Sequence, residues 1–175
     1  MAKDPLANPQ PLMERTYAYV AYRIGAGPEA EDVTSEVFEQ ALRYRHTYDA
    51  SRGEPISWLI GIARRCIARS LAARPPQSAS VDDGIVATTA DVAGEALDRI
   101  ELQQALMRLA ERDRELLALR YGSDLTAREI GRVLELTTNA VEVALHRALA
   151  RLRAELLEPG GAATTPRLDP AERPV

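Results

Sequence analysis

An all-α protein is what the sequence predicts: two small helical domains joined by a flexible linker, the C-terminal one containing a helix-turn-helix. Three observations carry that expectation. Aromatic residues make up only 5% of the 175 residues, and long runs rich in Ala, Leu, Glu and Arg contain neither Gly nor Pro, which favours helices over strands. Apolar positions recur every three or four residues in separate blocks. Between two groups of such blocks lies a stretch of Pro, Ser, Thr, Ala and Asp without that period.

The first domain is expected over 9–74. A helix over 9–24 has Leu12, Tyr19, Val20 and Ile24 as apolar positions, and Gly25, Gly27 and Pro28 end it. Pro28 also opens the next helix, where its missing N–H is not needed, and Glu29, Glu31 and Asp32 gather at the positive end of the helix dipole. Val33, Val37, Phe38, Ala41 and Leu42 form its buried stripe to about Tyr48. The segment Asp49 to Pro55 breaks that helix. A third, from Ile56 to Arg74, has Trp58, Leu59, Ile62, Cys66, Ile67 and Leu71 on its apolar stripe and Arg64, Arg65 and Arg69 off it.

Residues 75–94 read as the linker, opened by Pro75 and Pro76 and flexible and acidic in composition, with Asp82, Asp83 and Asp91. Fully extended, such a segment reaches on the order of 60 Å, more than the roughly 34–36 Å of one DNA turn. The second domain, 95–157, starts with a helix from Ala96 to Leu109 and another from Glu111 to Tyr121. Residues 158–175 are rich in Gly, Pro, Ala and Thr and read as a disordered tail.

The run LTAREIGRVLELTTNAVEVALHRALARLR, residues 125–153, contains two short helices and a tight turn. Thr126 and Glu129 have the spacing of a capping box, in which each side chain satisfies a backbone amide that the helix start leaves unpaired. Ile130, Val133 and Leu134 bury one face. Gly131 is small where a second helix would come close. Thr137, Thr138 and Asn139 supply turn and cap residues, and Val141, Leu145, Ala148 and Leu152 form the second apolar stripe. The opposite face of that helix suits a DNA groove.

Composition bounds what such a protein can do. Cys66 is the only cysteine and sits among apolar residues, so it reads as a buried thiol rather than a redox or ligand group. His46 and His146 stand alone, without metal-ligand spacing, and no nucleophile elbow, phosphate-binding glycine loop or carboxylate cluster suggests an enzyme. The expectation is therefore no catalytic residue, no metal and no cofactor. No uncharged apolar run is long enough to cross a membrane and no signal-peptide pattern opens the chain, so a cytoplasmic protein is expected. The net charge of −4 and a pI near 5.3 are awkward for a protein binding DNA unaided, because phosphate neutralisation supplies most non-specific affinity. A partner that itself holds nucleic acid resolves the conflict.

Four segments, in order, resemble the extracytoplasmic-function (ECF) group of sigma factors in the sigma-70 family. They are EAEDVTSEVFEQAL at 29–42, YDASRGEPISWLIGIARR at 48–65, LAERDRELLALRY at 109–121 and the run at 125–153. The resemblance spans roughly 10–157. It implies a sigma region 2-like domain, a region 4-like domain and the function of an RNA polymerase specificity subunit that directs transcription initiation. Core RNA polymerase and promoter DNA are the implied partners. An anti-sigma factor is common in the family and is a further candidate partner.

The roles carried over are specific. Asp32, Glu36 and Gln40, spaced by four on one polar helix face, match the surface that docks on core polymerase. Tyr48, Asp49 and Arg52 match the pocket that reads a flipped base of the minus-ten element, and Arg64, Arg65 and Arg69 are candidates for the phosphates of the same strand. In the helix from Thr138, the minus-thirty-five element falls to Thr138, Asn139, Glu142, Val143 and Arg147. The chain departs from the family pattern in four places. Gly61 stands where a basic residue is common and Arg65 where Asn is common; Glu142-Val-Ala144 replaces a Lys-Ser-Arg-like run; Glu135 replaces the usual turn glycine. The loss of positive charge at 142–144 predicts weaker or altered duplex binding, partly offset by Arg147, Arg151 and Arg153 unless these pair with Glu155 and Glu158. Two other readings compete with the sigma factor: a stand-alone helix-turn-helix regulator, disfavoured by a first domain without strand-helix alternation, and a sigma-like protein-binding adaptor with weakened DNA contact.

Overall fold

The structure, a computed structural model, describes residues 4–74 and 90–157, and these form seven α-helices: α1 (Pro9–Ile24), α2 (Pro28–Arg43), α3 (Pro55–Ala73), α4 (Ala90–Arg108), α5 (Glu111–Leu117), α6 (Ala127–Leu134) and α7 (Thr138–Leu157). No strand occurs among the described residues. Residues 75–89 of the expected linker and the expected tail at 158–175 lie outside the described residues. Residues 90–94, read as linker, instead open α4, which starts six residues before the expected Ala96.

Each of the first three helices has Pro in its opening turn, where φ is already helical and no amide is lost. Gly25 and Gly27, at φ 100° and 131°, make the reversal between α1 and α2. Glu29 in the first turn of α2 reaches across to Arg74, 2.6 Å away, so it ties the start of α2 to the end of α3 as well as facing the helix dipole. The Arg74 guanidinium, with a smaller contribution from the Ser70 hydroxyl, holds the Glu29 carboxyl below its usual range.

The core of the first domain combines Tyr19, Val20 and Ile24 from α1, Val33, Val37 and Ala41 from α2, and Ile56, Leu59, Ile60, Ile62, Ala63, Cys66 and Ile67 from α3. Cys66 is fully buried, and burial pushes its thiol up, as a structural thiol requires. Two helices differ from the stripes expected. Leu42 of α2 is 59% exposed, although Ala41 beside it is fully buried, so the buried face of α2 ends on Ala41 and leaves Leu42 to the outside. Ile60 and Ala63, off the expected stripe of α3, are fully buried. They lie on the same face as Ile56, Leu59, Cys66 and Ile67, three and four residues apart, and α3 packs on α1 and α2 and also against α6 of the second domain.

That contact belongs to a larger one. The chain after α5 turns through Ala118–Gly122, where the Ser123 amide donates to the Ala118 carbonyl five residues back at 3.0 Å, a π-type widening that ends the helix. This turn lies directly on α1. A Cβ on Gly122 would sit 2.9 Å from both Cα and N of Tyr19, so only glycine allows the two backbones to meet. Leu116, Leu119, Leu125 and Ile130 of the second domain join Tyr19 and Val20 in one continuous apolar cluster. The sequence marks two domains; the described residues pack them into one body.

In the helix-turn-helix, the capping box forms as read: the Thr126 hydroxyl accepts from the Glu129 amide at 3.3 Å, and the Glu129 carboxylate accepts from the Thr126 amide at 2.8 Å. Such a cap is worth about 1 kcal/mol, less than the roughly 1.5–3 kcal/mol of one fully buried Ile or Leu. The fully buried Ile130 and Val141, with Leu145 and Ala148, therefore hold the motif together and the cap sets where it begins. Gly131 has a different neighbour from the one expected. The group that comes close is not the second helix but the turn carbonyl of Leu136, 2.6 Å from where a Cβ would stand, while the Leu136 amide donates to the Gly131 carbonyl at 2.8 Å.

Glu135 ends α6 in the left-handed region at φ 57°. A residue with a Cβ pays roughly 1–2 kcal/mol there, against the roughly 0.5–1 kcal/mol that glycine costs in lost chain freedom. Glu135→Gly is expected to raise stability by about 0.5–1 kcal/mol with unchanged fold, measured as a shift of the urea midpoint; an unchanged or lower midpoint would show that Glu135 gains elsewhere what its backbone loses.

Candidate nucleic-acid interface

Three surfaces contain the residues singled out in the sequence. On α2, Asp32 is exposed and Glu36 and Gln40 are half-buried, and the three share one face. Glu36 accepts from Arg69 of α3 at 2.6 Å. Arg69 is thereby turned toward α2, with its other contact at the Cys66 sulfur, 3.4 Å away. It stands apart from Arg64 and Arg65, which remain on the side of α3 that faces the Tyr48 loop.

That loop is built by local polar chemistry. The Asp49 carboxylate accepts from the Ser51 amide at 2.9 Å and the Ser51 hydroxyl at 2.7 Å, and the Arg52 amide donates to the Asp49 carbonyl at 3.0 Å. The Ser51 hydroxyl and amide hold the Asp49 carboxyl below its usual range. The Tyr48 hydroxyl donates to the Gly53 carbonyl at 3.0 Å, and partial burial raises the phenol further above neutrality, so it stays a neutral donor. Gly53, at φ 148°, supplies the sharp exit toward Pro55.

Tyr48 meets Trp58 edge to face, with ring centroids 5.7 Å apart. Trp58, expected on the apolar stripe, is only half-buried. Its ring is a wall of an open groove of about 450 Å³ that also takes in Tyr48, Asp49, Arg52, Arg64 and Arg65. Aromatic faces beside guanidinium groups are what a splayed base and its phosphates require. Gly61 lies on the floor of this groove, where a side chain would narrow it.

The groove has a second wall that the sequence does not announce. Arg132 and Val133 of α6, from the other domain, close one side of it. Arg64 donates from Nε to Glu115 at 2.8 Å and from Nη1 to the Val133 carbonyl at 3.3 Å. Of the candidate phosphate contacts in the groove, Arg64 is thus tied to an internal carboxylate and Arg65 is exposed.

On α7, Thr138, Asn139, Glu142, Val143 and Arg147 are all exposed, while Val141, Leu145 and Ala148 face α5 and α6. The helix therefore presents the five candidate base-contacting positions together on its outer side. Arg151 sits beyond them and is committed to Asp113, whose two oxygens lie 2.7 and 2.8 Å from its Nη1. The carboxylate is not the Glu155 weighed from the sequence; Glu155 instead pairs with Arg108 at 2.8 Å. The offset to the missing charge at 142–144 falls accordingly on Arg147 and Arg153.

These two helical units, a three-helix domain with a basic aromatic groove and a helix-turn-helix with an outward recognition helix, match family models for Sigma-70 region 2 over residues 12–74 and Sigma-70 region 4 over residues 99–152. They define a sigma-70-type protein. Among curated relatives, the ECF RNA polymerase sigma factor SigD of Mycobacterium tuberculosis is 32% identical over 177 residues, covering 90% of this chain and 78% of SigD. The ECF RNA polymerase sigma factor BldN of Streptomyces coelicolor is 29% identical over 145 residues, covering 79% of this chain; the chain spans 55% of the length of BldN. The chain belongs to the ECF group of RNA polymerase sigma factors. Its fold is also that of CnrH, solved in complex with the cytosolic domain of CnrY, with a TM-score of 0.58, 23% identity and coverage of 84% of this chain and 80% of that one.

Proposed function

We propose that this protein binds core RNA polymerase through the α2 face of Asp32, Glu36 and Gln40 and directs it to promoters, without catalysis of its own. The domain at 9–74 reads the minus-ten element as a single strand, with Tyr48, Asp49 and Arg52 at the base pocket and Arg64 and Arg65 at phosphates. Arg69 contributes by holding Glu36 in place on the docking face. The domain at 95–157 reads the minus-thirty-five element through Thr138, Asn139, Glu142, Val143 and Arg147. The observation that carries the reading is the aromatic and basic groove beside Tyr48 and Trp58, a surface with no use in a duplex-only regulator. No described helix is long and apolar enough to cross a membrane, which suits a protein working beside the transcription machinery in the cytoplasm. CnrH, which shares the fold, carries the cytosolic domain of CnrY bound to it. That complex supports a dedicated protein partner for this chain as well, an anti-sigma factor.

Run-off transcription with reconstituted holoenzyme on a genomic promoter library tests the function. Specific transcripts dependent on the added protein are expected; failure to bind core polymerase would sink the reading.

The acidic and apolar run at 142–144 yields a further prediction. Glu142→Lys with Ala144→Arg is expected to strengthen holoenzyme binding to a promoter from that library and to steepen its log–log salt dependence by about 2, since each new phosphate contact adds roughly 0.9 to the slope. If neither affinity nor slope changes, α7 does not lie against DNA, and the protein-binding adaptor becomes the better account of the second domain.

A further inference from the structure

Gly61 stands in the interior of α3, where glycine costs stability relative to alanine and no turn calls for it. Packing does not call for it either. Beyond the backbone of its own helix, a Cβ there would have no atom within 4 Å, so the missing side chain relieves no clash inside the protein. A glycine of this kind suits a backbone that another molecule approaches closely. Trp58 lies three residues before Gly61 and Arg65 four after it, so the three share one stripe of the helix: an aromatic ring, a gap and a guanidinium. A long side chain on a helix covers the turn before its own Cα, which for Arg65 is the turn of Gly61. Arg65 is exposed and joins none of the ion pairs among the described residues, unlike Arg64 on Glu115 and Arg69 on Glu36. The gap also joins two spaces. Gly61 and Arg65 line both the groove of about 450 Å³ beside Trp58 and an adjoining cavity of about 510 Å³. Apart from Arg65, the charges around that cavity are already matched among the described residues, Arg23 and Arg64 with Glu111 and Glu115. One free guanidinium beside an aromatic ring and a bare stretch of backbone is a setting for a base.

We propose that Trp58, Gly61 and Arg65 form a slot on α3 that selects guanine in the minus-ten strand. The slot deepens the reading of this groove as the site of that strand, and rests on it. Trp58 stacks on the base, the gap at Gly61 lets the base lie close against the helix, and Arg65 donates to two atoms of its edge. Stacking accepts every base; the guanidinium does not. On the edge that Watson–Crick pairing leaves free, guanine presents N7 and O6 as adjacent acceptors, adenine an acceptor and a donor, thymine one acceptor and cytosine a donor. Only guanine there matches a forked donor. The larger purine frame also needs the space that a side chain at 61 would take. A guanidinium has five N–H donors, so Arg65 can hold both acceptors and still reach a phosphate of the same strand. Arg64, held by Glu115, leaves the choice of base to Arg65.

The test uses the full chain and fluorescence anisotropy at low salt, with labelled oligothymidine probes carrying one guanine, adenine, cytosine or 7-deazaguanine at the centre. The last keeps the size and stacking of guanine but replaces N7 with a C–H group. The guanine probe is expected to bind about tenfold tighter than the others, the value of one bidentate pair. Gly61→Leu, whose side chain enters open space, is expected to lose that preference with the fold intact. Arg65→Lys keeps the positive charge but not the fork, and is expected to treat guanine and 7-deazaguanine alike. A parent that binds all probes equally would overturn the slot. So would a guanine preference that survives Arg65→Lys, or one that survives Gly61→Leu. None of these measurements needs polymerase. A chain without guanine preference that still directs promoter-specific run-off transcription loses the slot alone, whereas failure to bind core polymerase removes the sigma-factor reading.

Discussion

Gly131→Val is expected to destabilise the protein by about 3 kcal/mol, with the loss centred on the helix-turn-helix. The turn carbonyl of Leu136 stands 2.6 Å from the position a Cβ would take, and that carbonyl is backbone, unable to swing aside as a side chain would. The Leu136 amide is at the same time bonded to the Gly131 carbonyl at 2.8 Å, so moving the turn away breaks the bond that closes it. Overpacking of this kind costs about 1–3 kcal/mol, and loss of a buried backbone hydrogen bond adds about 1 kcal/mol. Valine recovers little through helix propensity, where it ranks well below alanine. A sum near 3 kcal/mol is a large part of the roughly 5–15 kcal/mol that holds a typical small protein together. Urea unfolding followed by circular dichroism should show the loss, and transcription from promoters that need the minus-thirty-five contact should fall with it. A variant with the parent's midpoint would mean that the turn relaxes without cost.

The second large effect is expected at Trp58. Its half-buried ring carries the Tyr48 contact and walls the groove, so Trp58→Ala removes a stacking surface and frees the loop it steadies. Stacking of a base on an aromatic ring is worth about 1–3 kcal/mol, and roughly 1.4 kcal/mol is a factor of ten. Open-complex formation, followed with a fluorescent base analogue in the minus-ten strand, is expected to drop about tenfold or more, with core binding retained because the α2 face is untouched. Trp58→Phe should recover most of the rate. Opening at the parent's rate in Trp58→Ala would remove the aromatic wall from the mechanism and leave Trp58 a packing residue.

The causes of these two effects are not equally visible in the sequence. The place of Gly131 in the motif marks it as a site of close approach, although the group approaching it is the turn of its own helix pair. Trp58 lies on the helical period that elsewhere marks core, and nothing in that period tells a half-buried ring from a buried one. Its exposure depends on the Tyr48 loop leaving one edge uncovered. Arg64 is a sharper case. Its position off the stripe predicts solvent or a phosphate, yet its partner is Glu115, 51 positions along the chain. Arg69, read with it, turns the other way to Glu36, 33 positions back. Ile60 and Ala63, with Ile56 and Ile67, fall on a single face of α3, so its stripe does not announce the contact with the second domain.

The helices, their proline starts, the Thr126–Glu129 box, the two domains and the family are all legible in the amino-acid sequence alone. They rest on neighbours one to four residues apart, whose geometry the backbone repeats everywhere. Packing in three dimensions is what settles that the domains share an apolar cluster, that Gly122 must lack a side chain, and which carboxylate each arginine takes. Charged side chains are long and nearly interchangeable in pattern, and the pairing they adopt follows from which helices packing has already brought within hydrogen-bonding reach, roughly 3 Å. For this protein that selection places Glu115 on Arg64, and Arg132 and Val133 of the second domain at the groove beside Tyr48 and Trp58.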